Sequence, residues 1–139
     1  MKWILLPSML GVSIIADAQS IDAGVTQDNI KTTVCVPGYS AKVRPSYSYT
    51  NKIKLAKLKV AGISEYDAAL YELDHIIPLS LGGSPKDLKN LQIQFWIAAK
   101  KKDTKESAYH KLVCSETITL KEAQDYFFLY KDVANAKAN

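Results

Sequence analysis

A chain of 139 residues is long enough for one compact domain and too short for two. Its 18 Lys and Arg against 14 Asp and Glu leave a net charge of +4, which favours anionic partners through long-range attraction but names none of them. Two cysteines are too few for a structural zinc site.

Residues 1–18 have the pattern of a secretory leader. Lys2 precedes the apolar run Trp3, Ile4, Leu5 and Leu6, resumed after Pro7 through Met9, Leu10, Val12, Ile14 and Ile15. It ends at Ala16-Asp17-Ala18, a small-x-small cleavage signal. Pro7, Gly11, Ser8 and Ser13 make a poor membrane span, and the run is short for a bilayer. The expectation is export to the periplasm or the medium, cleavage after Ala18, and no membrane association of the mature chain. Removing Lys2 and Asp17 takes one charge of each sign, so the net charge stays at +4. In an oxidising compartment the even cysteine count predicts a Cys35–Cys114 disulfide. Closing so long a loop stabilises a domain by about 4 kcal/mol on the chain-entropy view.

Residues 19–33 are polar and without periodicity, which predicts a flexible or weakly ordered lead-in. Over residues 34–49, Pro37-Gly38 and Pro45 punctuate a stretch holding Tyr39, Tyr47 and Tyr49, with Lys42 and Arg44 between them. That reads as irregular or short-strand structure rather than helix; the tyrosines serve either as packing or as base-stacking platforms. Thr50 or Asn51 is read as the N-cap of a helix running to about residue 60 and closed by Gly62. Ile53, Leu55, Leu58 and Val60 supply its apolar content. Lys52, Lys54, Lys57 and Lys59 form a basic strip, which is a solvated face or a phosphate rail.

Residues 71–94 read as two short strands around a long turn. Leu73, Ile76 and Ile77 belong to the first, Leu91 and Ile93 to the second, and Pro78, Gly82-Gly83 and Ser84-Pro85 bend the chain between them. A helix follows over about residues 96–113. A last one opens at Thr119, with Glu122 completing a capping box, and continues through Ala123, Tyr126, Phe127 and Tyr130.

Of the two histidines, His75 carries the chemical interest. It closes the first strand beside Asp74, and the two side chains point to opposite faces unless the backbone bends there. Gly82-Gly83 allows a tight turn, and Asn90 returns at the start of the second strand, where its amide can bond across the loop. Asp103, one turn beyond Ala99 on the following helix, is expected to face the hairpin and meet Asp74. Phosphodiester hydrolysis needs a base to activate water and a cation to take up charge. Imidazole suits the first role because its pKa of about 6.5 lies near neutrality. Two carboxylates with waters suit a hard cation such as magnesium.

The sequence at this point resembles the HNH endonuclease-like family of bacteria and phages. The resemblance rests on Leu73-Asp74-His75-Ile76-Ile77-Pro78-Leu79, then Gly82-Gly83, Asn90-Leu91, and Lys102-Asp103 with Glu106. The flanks are similar too: Cys35-x-Pro37-Gly38-Tyr39, Val43-Arg44-Pro45 and Ser48-Tyr49-Thr50-Asn51 before it, His110-x-x-Val113-Cys114 and Ala123-Gln124 after it. It covers roughly residues 34–125. What it implies is a small α+β domain over residues 34–139, with a ββα-metal motif flanked by helices.

In that reading His75 is the general base and Asn90 the residue that orients it. Asp74 and Asp103 hold a divalent metal, magnesium by preference with manganese or zinc as substitutes. A further helix ligand would fall near Ala98 or Ala99, and alanine cannot bind a metal. Glu106 and His110 are either a second shell or a plain i,i+4 surface pair. Lys100, Lys101, Lys102 and Arg44 grip the nucleic-acid backbone without reading sequence. The implied activity is endonucleolytic hydrolysis of DNA, and of RNA as a second substrate, leaving 5′-phosphate and 3′-hydroxyl ends. Two alternatives stay open: a weak or inactive module of the same fold that binds nucleic acid, and a secreted effector whose target is protein.

Overall fold

The computed structural model describes residues 20–136, with side chains to Lys131. The expected leader and its cleavage site lie outside the described residues. The architecture mixes helix and strand, as the α+β expectation requires. Helices α1 (Tyr39–Val43) and α2 (Tyr47–Val60) come first, then strand β1 (Tyr71–His75), strand β2 (Leu91–Phe95), and helices α3 (Trp96–Cys114) and α4 (Leu120–Ala136). Among the described residues, β1 and β2 form one antiparallel pair in which Tyr71 faces Phe95 and His75 faces Leu91. None of the described helices is long and apolar enough to cross a membrane.

The expectation for residues 34–49 is corrected in part: half of the stretch is helical, as α1 and the start of α2, and the rest is turn and coil. Pro45 divides two helices rather than ending regular structure, because it holds Arg44 extended (ψ 129°) and so stops α1. Ser46 then caps α2, accepting from the Tyr49 amide at 3.4 Å. The cap therefore lies four residues ahead of Thr50, which is inside the helix. The other end of α2 falls where the sequence places it. Gly62 at φ +71° lets its own amide reach Lys59 O and the Ile63 amide reach Leu58 O, a Schellman closure.

The lead-in is also corrected from Ser20 onward. Ile21 bridges Gly83, residues Gln27–Thr32 form a 3-10 helix, and Val25 and Ile30 are buried in the main core with Val34, Leu81, Val113, Leu120, Ala123 and Phe127. A bridge and a 3-10 turn bury single side chains at irregular intervals, so neither sequence period reveals them. Cys35 and Cys114 are joined beside this core, Cα atoms 5.6 Å apart, which ties the incoming segment to the end of α3. The capping box of α4 forms as expected: Glu122 accepts from the Thr119 amide at 2.7 Å and its own amide donates to Thr119 Oγ1 at 3.1 Å.

Candidate functional site

The turn between β1 and β2 is built around Asn90. Its Oδ1 accepts from the Ile77 amide at 2.9 Å, and its Nδ2 donates to Ile77 O and Ser84 O, each at 3.0 Å. Asn90 is fully buried, so these bonds replace water entirely and the side chain acts as a cross-brace. Gly83 makes the brace possible. A Cβ there would lie 1.8 Å from Ile77 O and 2.8 Å from Asn90 Nδ2, so no other residue fits.

This brace sets the end of β1, and with it His75. The ring is buried (5% exposed), and Nε2 lies 3.0 Å from the Pro85 carbonyl oxygen. A carbonyl can only accept, so Nε2 carries the hydrogen and, in the neutral ring, Nδ1 carries the lone pair. Burial holds the ring below its ordinary pKa, with Arg44 and Lys102 acting the same way and the Pro85 bond and Asp74 pulling part of the way back. The result is a neutral imidazole of fixed tautomer, the form a proton acceptor needs.

His75 lines a cleft of about 470 Å³ between α2 and β1, together with Arg44, Tyr47, Lys54, Glu72 and Trp96. Arg44 sits just before Pro45 and reaches the cleft from the α1–α2 junction. Tyr47 is 80% exposed and Trp96 48% exposed, and the Lys100 ammonium lies 4.6 Å above the Trp96 ring. Glu72 is pushed above the usual carboxylate range by burial and by the charges of Asp74 and Asp103, against Lys100 and Lys102. Cations and flat rings on the rim, with an imidazole in the wall, suit a ligand bearing both phosphate and base.

The carboxylates are arranged otherwise than expected. Asp103 is exposed; it is Lys102, the preceding residue, that meets Asp74. The Lys102 Nζ donates to Asp74 Oδ2 and to the His75 carbonyl oxygen, each at 2.8 Å, and also to Glu106. At 1% exposure Lys102 is among the most buried side chains, with its ammonium 5.5 Å from the Phe127 ring. Burial works against its charge, but Asp74 and Glu106 outweigh it and raise the pKa above the ordinary lysine value. Lys102 is therefore buried away from any phosphate, whereas Lys100 and Lys101 are exposed. Its position had a signal: Ala99, Lys102, Glu106 and Val113 fall on one helical stripe, and Ala99 and Val113 are core residues. The run Lys100-Lys101-Lys102 hides it as a solvated helix start.

A divalent ion between Asp74 and Asp103 does not fit this arrangement, because an ammonium already sits on the Asp74 carboxylate, and exposed Asp103 reaches the cluster only through its charge on Glu72 and Glu106. Glu106 serves the same lysine. His110 lies elsewhere: its Nε2 donates to Val34 O at 2.8 Å, and it makes no pair with Glu106. Among the described residues, the close group of three His, Cys or acidic side chains is Cys35, His110 and Cys114. Two of those sulfurs are bonded to each other, so they offer no thiolates. Comparison with family models, curated proteins and solved structures yields no match.

Proposed function

We propose that this chain is an exported endonuclease of HNH-like design, acting on nucleic-acid phosphodiester bonds in the cleft beside His75, with little sequence preference. The observation that carries the reading is the His75 ring in the cleft wall, its Nε2 hydrogen committed to Pro85 O, so that Nδ1 is left to act as the base. Arg44 and Lys54 line the same cleft and supply the charge that a phosphate seeks, and Lys100 stands at its rim over Trp96. Asn90 acts through His75 by fixing the turn that holds it. The disulfide and the leader-like start of the sequence support a secreted or periplasmic setting.

The test is incubation of the oxidised protein with plasmid DNA and with single-stranded RNA, in magnesium, manganese, zinc or chelator. Cleavage should fall by about 10²–10⁴-fold in His75→Ala, the usual weight of a general base, while binding persists. Cleavage unchanged in that variant would remove His75 from the chemistry. A second reading, a nucleic-acid-binding module without turnover, is favoured by the low exposure of His75 and by the ammonium on Asp74. It predicts binding that weakens steeply with salt and no cleavage under any of the four conditions. Binding that resists about 200 mM salt would instead point to a protein target.

A further inference from the structure

The Lys102 cluster changes what the site can act on. An ammonium has three hydrogens to donate, and Lys102 spends them on Asp74, Glu106 and the His75 carbonyl. The Asp74 and Glu106 carboxylates, which would otherwise attract a hard cation, thus already hold one that is covalently tethered, sealed under Phe127 and out of reach of solvent. A metal would have to displace it and then sit beside its positive charge. We propose that Lys102 is a built-in replacement for the divalent ion, that the site works without metal, and that its substrate is single-stranded RNA. The proposal rests on the nuclease reading above and narrows it.

The substrate follows from where the nucleophile must come from. Water is a very weak acid, and a bound metal is what ordinarily makes it reactive near neutrality. Without that help an imidazole in the cleft wall needs a nucleophile already held against phosphorus, and effective molarities of about 10⁵–10⁸ M are available to one within the same molecule. RNA carries such a group in its 2′-hydroxyl; DNA does not. His75 Nδ1 takes the 2′-hydroxyl proton and O2′ bonds to phosphorus. The P–O5′ bond breaks and the leaving 5′-oxygen takes a proton from solvent water, after which His75 returns its own proton to solvent. The products are a 2′,3′-cyclic phosphate and a 5′-hydroxyl. Arg44 and Lys54 face the charge that develops on the phosphate oxygens. Tyr47 and Trp96, both exposed on the cleft wall, offer rings on which unpaired bases stack, and such bases are free only in single strands.

The experiment uses the oxidised full chain and one labelled RNA, with a copy bearing 2′-deoxyribose throughout, each in magnesium and in excess chelator. Expected is cleavage of the RNA at about the same rate in both media, with a cyclic phosphate end, and none of the deoxy copy. RNA or DNA cleaved only with metal, leaving a 5′-phosphate, would overturn this inference while keeping the nuclease reading. No cleavage in any arm would overturn both. A second readout needs no activity: manganese should leave the thermal midpoint of the native protein unchanged and raise that of Lys102→Met, in which Asp74 and Glu106 are released. A manganese-dependent rise in the native protein that Asp74→Asn abolishes would sink the proposal even if Lys102→Met does not fold.

Discussion

Asn90 and His75 divide one task at the scale of single side chains. Asn90 satisfies both the amide and the carbonyl of Ile77 and the carbonyl of Ser84. Asn90→Ala strands the buried amide and carbonyl of Ile77 and the part-buried carbonyl of Ser84, and a buried group left unpaired costs about 1–3 kcal/mol. A loss of about 3 kcal/mol is expected in urea unfolding, with cleavage falling as well because the His75 turn loses its brace. His75 sets a pH dependence whose sign is fixed by its lowered pKa. The fold prefers the neutral ring, so the stability it contributes is complete above its unfolded pKa of about 6.5 and is lost as pH falls toward the folded value. Glu72 and Glu106, both raised chiefly by burial, act in the opposite sense as they protonate. The urea midpoint of the native protein relative to His75→Gln should therefore drop between about pH 7.5 and about pH 5. An unchanged difference would mean the ring is not held neutral. For the same reason, the acid limb of the cleavage rate should lie below pH of about 6.5.

Helix α3 shows at the scale of elements which parts of this protein its sequence discloses. Both strands, α3 and α4 are legible because proline, paired glycines and a capping box punctuate them, and Asn90 is legible because an amide at a turn exit has an obvious use. Residues 20–33 and α1 are not, since their structure is too short or too tightly wound to repeat a period. Lys102 escapes for a different reason. Residue type argues for the surface while helical position argues for the core, and only a partner distant in sequence, Asp74, decides between them. The end of α3 hides a strained position as well. Glu116 adopts φ +58° so that its amide reaches Val113 O and the Thr117 amide reaches Leu112 O, the closure that Gly62 makes for α2. A side chain there pays a steric penalty that glycine avoids. Its ion pair with Lys31, at 3.5 Å between largely exposed groups, is too solvated to offset that. Glu116→Gly should stabilise the protein by about 0.5–1 kcal/mol in thermal or urea unfolding, and a loss of stability would mean that the backbone strain is smaller than the contacts removed.

The whole molecule is organised as a packed end and a chemical end joined through α3 and through Leu81, which carries the hairpin turn into the main core. The packed end holds the main core and the disulfide; the chemical end holds the hairpin, Asn90, His75 and the cleft. Lys102 lies where they meet, touching Asp74 and the His75 carbonyl on one side and Phe127 of the core on the other. The disulfide joins positions 79 residues apart, and closing a loop of that length restricts the unfolded chain by about 4 kcal/mol. None of the groups lining the cleft is adjacent to Cys35 or Cys114 in sequence. Replacing both by serine should thus lower the urea unfolding free energy by about 4 kcal/mol while leaving cleavage per folded molecule unchanged below the midpoint. Activity that disappears before the fold does, followed by circular dichroism in the same samples, would show instead that the linkage positions the hairpin and that the two ends are not mechanically separate.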